Sequence, residues 1–80
     1  MHSEVLTLKA WQRRRLLTIR AFAAAAGVSP RTVIEIGAGR RVPRPGTITA
    51  MSRVLEVAPE QVVEFRRAMG LPVMEGTKEQ

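Results

Sequence analysis

The chain has no cysteine, which excludes disulfides and thiolate metal sites. Aromatic residues make up only 4% of the 80 residues, against 45% hydrophobic overall. Aliphatic and alanine side chains must therefore fill the interior, and such small groups suit close helix packing. No apolar run approaches the length of a membrane-spanning helix. No hydrophobic stretch of a secretory signal follows the N-terminal charges. The expectation is a cytoplasmic protein without a membrane role. Eighty residues allow one small domain with a modest core.

Acidic residues are scarce where basic ones are dense. Between Lys9 and Arg44 stand nine cations: Lys9, Arg13, Arg14, Arg15, Arg20, Arg31, Arg40, Arg41 and Arg44. Glu35 is the only acid among them, so this stretch carries +8 of a chain whose net charge is +6. The segments on either side carry −1 each. A cationic segment joined to near-neutral ones is the electrostatic footprint of a polyanion binder. A merely solvated basic surface is the plain alternative.

Glycine and proline divide the rest into short helices. Ser3 is placed to cap a first helix over Glu4–Arg15, with Val5, Leu8, Trp11 and the stem of Arg15 on one face. Thr18 caps a second, Ile19–Ala26, with Phe22, Ala23 and Ala26 inward and Gly27 as its left-handed end. Ser29-Pro30 is the cleanest local signal, because serine caps and proline at the first helical position gives up only an unpaired amide. It opens a third helix, Pro30–Gly37, with Val33 and Ile36 inward. An extended connection through Pro43 and Pro45 leads to Thr47, expected to cap a fourth helix that buries Ile48, Met51 and Leu55. A fifth is expected over Pro59–Met69, with Val62, Phe65 and Met69 inside. The predicted fold is all-α, a bundle of about five short helices over residues 1–69 with a tail over 70–80.

The pattern Leu17-Thr18, Phe22-Ala23, Gly27-Val28-Ser29, Thr32-Val33, Gly39-Arg40-Arg41, Pro43 and Leu55-Glu56-Val57 resembles the lambda-repressor-like (Xre/Cro) helix-turn-helix family. The resemblance covers roughly Leu6 to Phe65. It implies that Pro30–Gly37 enters the major groove of double-stranded DNA, with the base-reading positions at Pro30, Arg31, Ile34 and Glu35. It places phosphate contacts near Thr18 and Ile19, at Thr32, and in the connection at Arg40, Arg41 and Arg44. Three departures stand out. Ile19 occupies a position where the family commonly has a phosphate-binding Gln, with Arg20 beside it as a substitute. A Glu–Arg pair of the family is missing on both sides, at Gly37 and Gln12. Joint loss avoids leaving one half-buried charge unpaired. Leu16 stands where the family has glycine between its first two helices.

Residue chemistry refines the expectation. Arg31 can donate two hydrogen bonds to guanine, or contact a phosphate. Glu35 can accept from a cytosine amine, or orient Arg31 four residues earlier on the same helix face. The orienting role is preferred, since a carboxylate beside phosphate is otherwise costly. Pro30 and Ile34 can touch a thymine methyl or exclude water, a sparse direct code that leaves much to DNA shape. Thr32 is a phosphate ligand or a plain surface residue. Arg13, Arg14 and Arg15 span too much of a turn for all three to face DNA, so at least one is solvated or works through its stem. Trp11 is core or a dimer contact. His2 stands alone. Glu60 and Glu64 share a helix face with Arg67 nearby and are expected to form a solvated surface. No nucleophile, metal set or phosphate-cradling glycine loop accompanies them, so no enzyme, cofactor or small-molecule ligand is expected.

The leading expectation is a sequence-specific, repressor-type regulator that acts as a homodimer, because two-fold pairing doubles the few base contacts of a small module. Two alternatives remain: an antitoxin-like or co-regulator module that binds another protein, and a non-specific architectural DNA binder.

Overall fold

The computed structural model describes residues 4–72. Five α-helices follow in order: α1 (Leu8–Arg14), α2 (Ile19–Ala26), α3 (Pro30–Gly37), α4 (Pro45–Leu55) and α5 (Val63–Ala68), with one 3-10 turn at Pro59–Gln61 before α5. The all-helical expectation holds. The inward stripes of the five helices meet in one core: Leu8 and Trp11, Phe22 and Ala23, Val33 and Ile36, Ile48, Met51 and Leu55, then Val62 and Phe65. Ala26 packs against it half-buried.

The two central helices have the bounds read from their caps. Thr18 Oγ1 accepts from the Ala21 amide at 3.0 Å, and Ser29 Oγ accepts from the Thr32 amide at 3.1 Å. Between them Gly27 sits at φ 75°, where a side chain would clash with its own backbone.

Three expectations fail, the first two through a partner distant in sequence and the third through a local proline. The first helix starts at Leu8, not Glu4; Thr7 caps it by accepting from the Ala10 amide. Ser3 lies outside the described residues. Leu6 stays outside the helix because it forms an isolated parallel bridge with Val62, with the Leu6 amide donating to the Gln61 carbonyl and the Val63 amide donating to the Leu6 carbonyl. The same bridge breaks the expected fifth helix: Val62 is extended (φ −115°, ψ 122°) between the 3-10 turn and α5. Val62 and Val63 are both buried where the extended residue meets α5, and Met69 is left exposed. Finally, α4 begins at Pro45 rather than after Thr47. Arg44 occupies the cap position and Thr47 is already inside the helix.

Long-range polar contacts tie the first turn of α1 to α5. Glu64 Oε1 accepts from the Leu8 amide at 2.8 Å, so Glu64 is half-buried and not part of a solvated face. Burial raises its pKa, and the Leu8 amide bond pulls it partly back. Trp11 is core, with Nε1 donating to the Gln61 carbonyl at 2.6 Å. Past α5, Gly70 turns the chain at φ 77°; the Leu71 amide then donates to Arg66, and Arg66 Nε donates to Pro72.

Candidate nucleic-acid interface

The α2–turn–α3 unit sets out the predicted reading positions on one helix. Pro30, Arg31 and Ile34 are exposed, with Ile34 at 47%. The opposite side of α3, Val33 and Ile36, is locked into the core, so its rotation about its own axis is fixed by burial. Ser29 caps this helix and Pro30 opens it, which stiffens the end that carries Arg31.

Glu35 is the electrostatic centre of the surface. Its side chain is only 20% exposed, against 84% for Arg31 and 51% for Arg41. Its Oε2 accepts from Arg31 Nε at 3.2 Å, and its Oε1 accepts from Arg41 Nε at 2.9 Å. Hydrogen bonds from Arg41 first, and then from Arg31, hold its carboxyl below the usual carboxylate range. Both oxygens of Glu35 are thus engaged by guanidinium groups, one from its own helix and one from the loop that follows.

The predicted phosphate ligands divide into groups. Thr18 and Arg20 lie exposed at the start of α2. The Thr18 oxygen is occupied as a helix cap, but its hydroxyl proton remains available to a phosphate. Thr32, Arg41 and Arg44 come together around a shallow cleft of about 290 Å³, which Ser29 and Thr47 also line. The Thr32 and Ser29 hydroxyls are 2.9 Å apart there. Arg40 is exposed on the turn after α3. Pro43 in the same loop is buried, so the arginine-bearing connection is pinned to the core.

The arginine run of the first helix is partly spent elsewhere. Arg15 Nε donates at 2.7 Å to the carbonyl of Leu55, the last residue of α4, where cationic side chains are favoured. Arg14 is paired with Glu4. Both guanidinium groups also lie over the Trp11 ring, at 5.4 and 5.6 Å from its centroid. Sequence reasoning set the stem of Arg15 on the Trp11 face but missed the Leu55 carbonyl and Glu4 as partners, because only the fold brings them within reach. It also missed Arg41 as a partner of Glu35; the loop that returns it carries no periodic signal.

The departures from the family pattern can be placed as well. Leu16 adopts φ 57°, the left-handed conformation that glycine favours, and is 90% exposed. Gly37 and Gln12 border one cleft, and a Cβ at Gly37 would meet no atom within 4 Å. The site of the missing Glu–Arg pair is thus open space. Gln12 Nε2 instead donates to the Leu17 carbonyl at 3.3 Å. No group of three metal-ligating side chains gathers among the described residues. No helix among them is long and apolar enough to cross a membrane.

Two packed helices joined by a glycine turn, the second with its free face turned outward beside an arginine-rich loop, define a helix-turn-helix module. The family model for a helix-turn-helix domain matches residues 5–65, and the chain belongs to that DNA-binding family. No curated protein and no solved structure matches it at a significant level.

Proposed function

We propose that the chain is a sequence-specific transcriptional regulator of repressor type, in the lambda-repressor-like (Xre/Cro) group, that binds double-stranded DNA in the cytoplasm as a homodimer. The observation that carries the reading is the outward face of α3. Pro30, Arg31 and Ile34 are exposed on a helix whose other face is buried, and Arg40, Arg41 and Arg44 flank it. In this reading α3 lies in the major groove. Arg31 donates to guanine O6 and N7, and Pro30 and Ile34 contact thymine methyls or exclude water. Glu35 holds the Arg31 guanidinium in plane. Thr18, Arg20, Thr32, Arg40 and Arg44 contact the backbone and set register, and Arg41 joins them to the extent that Glu35 releases it. Pairing uses the exposed end of the chain after α5, where Met69 and Leu71 present apolar surface. Val73 and Met74, which the sequence adds to that patch, lie outside the described residues.

A salt titration on selected and scrambled duplexes tests the reading. Specific regulation needs a large affinity ratio between the two, with a salt slope on both. A slope without a ratio identifies an architectural binder. Neither slope nor ratio identifies a protein-interaction module, for which the exposed Ile34 would be the anchor. Arg31→Ala should cost about 1–3 kcal/mol on the selected duplex and relax the preference for one G·C pair per half-site. Arg31→Lys should not restore it, because lysine lacks the planar fork. Equal losses on selected and scrambled DNA would make Arg31 a phosphate contact.

A further inference from the structure

Arg41 stands between the Glu35 carboxylate and a cleft lined by a second arginine and hydroxyl groups. Its guanidinium is held by Glu35, with Nε at 2.9 Å and Nη2 at 2.8 Å from the same carboxylate oxygen. Its side chain also borders the cleft that Arg44, Thr32, Ser29 and Thr47 line. That cleft gathers hydroxyls and a second arginine, the groups that receive a phosphate oxygen. We infer that Glu35 is a specificity-determining residue: its carboxylate competes with DNA phosphate for Arg41 while it orients Arg31 for a base. The inference rests on the DNA-binding reading above.

The two effects fall on different complexes. Holding Arg41 withholds one backbone contact from any duplex, matched or not. Orienting Arg31 helps only where a guanine is present to accept from it. Glu35 thus weakens binding to random DNA and returns part of that loss on a matched site. Discrimination by a built-in unfavourable element is a general route to specificity. The charge map supports this use. Glu35 is the only acid between Lys9 and Arg44. Every other charge there is positive.

The experiment is a cycle of Glu35→Gln and Arg41→Ala in the full chain. Binding is read by fluorescence anisotropy against a random-sequence duplex and a duplex selected for binding, over a series of salt concentrations. Glutamine keeps the shape and removes the charge. Glu35→Gln should tighten random-duplex binding about threefold to tenfold and steepen its salt slope by about one unit, as one more phosphate contact forms. Affinity for the selected duplex should change by less than about twofold, so the ratio between the duplexes falls. Arg41→Ala should lower the random-duplex slope by much less in the wild-type background than in the Glu35→Gln background, where the loss should be about one unit. If Glu35→Gln weakens or does not alter random-duplex binding, the inference is wrong. It is equally wrong if the gain persists undiminished in the Arg41→Ala background, since that would be bulk charge and not a held arginine. Failure of the wild-type chain to bind either duplex would remove the DNA-binding reading itself and the inference with it.

Discussion

Leu16 is the clearest place where the backbone asks for a residue that the sequence does not supply. It ends the turn after α1 at φ 57°, with its amide bonded to the Arg13 carbonyl and the following amide to Gln12. A non-glycine residue in this conformation costs about 1–2 kcal/mol. Glycine removes that cost but loses more backbone entropy on folding, about 0.5–1 kcal/mol. The side chain is 90% exposed, so truncating it sacrifices almost no burial. Leu16→Gly should therefore stabilise the fold by about 0.5–1 kcal/mol, or a midpoint rise of several degrees in a domain of this size. Thermal and urea unfolding followed by circular dichroism measure it. Leu16→Ala separates the causes: alanine sheds the exposed apolar surface but keeps the left-handed strain, so stability should barely move. Leu16→Asn should fall between them, since asparagine tolerates this region better. A destabilised glycine variant would refute the strain argument. Equal gains from alanine and glycine would trace the effect to the exposed leucine surface instead of the backbone.

Two further outcomes concern buried polar groups. Ser52 is buried, and its hydroxyl finds no hydrogen-bond partner among the described residues. Ser52→Ala should raise stability by about 1 kcal/mol in urea unfolding, because it removes an unpaired polar atom and leaves no orphan behind. A loss of stability would mean the hydroxyl has a partner after all. Glu64 accepts the Leu8 amide, so Glu64→Ala should cost about 1–3 kcal/mol, while Glu64→Gln keeps an acceptor and should cost less. The pH dependence has a definite sign. The folded pKa of Glu64 is raised above 4.5, so its contribution is fully present below the ordinary carboxylate value and is lost as pH rises through the raised one. Glu4 and Glu35 have lowered values and act in the opposite direction, losing their contribution as pH falls. The difference between wild type and Glu64→Gln isolates Glu64. It should shift in favour of the glutamine variant as pH rises above the ordinary carboxylate value, and a flat difference would contradict the burial of its carboxyl.

What could be read from the sequence depended on how far apart the partners stand. The caps of α2 and α3 join residues three apart, Thr18 with Ala21 and Ser29 with Thr32, so short-range chemistry defined both helices. The inward stripes were legible because burial repeats with the helix period. The start of α1 was not, since Leu6 is drawn into extended backbone by a partner 56 residues away, Val62. The break before α5 has the same origin. No residue near Val62 marks it, and proline at position 59 suits either a helix or a 3-10 turn. In the candidate site the Arg31–Glu35 pair followed from four-residue spacing on one helix. Arg41 could not be found that way, because it reaches Glu35 only through the path of the loop after α3.

The same contrast bears on how a basic sequence is turned into a binding surface. Counting charge treats the nine cations between Lys9 and Arg44 as equivalent. The fold divides them. Arg15 closes the end of α4, and Arg14 is shared between Glu4 and the Trp11 ring. Neither is placed for a duplex lying along α3 unless it abandons a structural partner. Arg31 and Arg41 are held by one carboxylate, which restrains both. Arg20, Arg40 and Arg44 are exposed beside the outward face of the helix-turn-helix unit. The number of phosphates that one chain neutralises should thus be smaller than its arginine count implies. In the proposed reading, the part of the surface most sensitive to sequence is the part where arginines are restrained, because a restrained guanidinium has already lost the freedom that base recognition would otherwise remove.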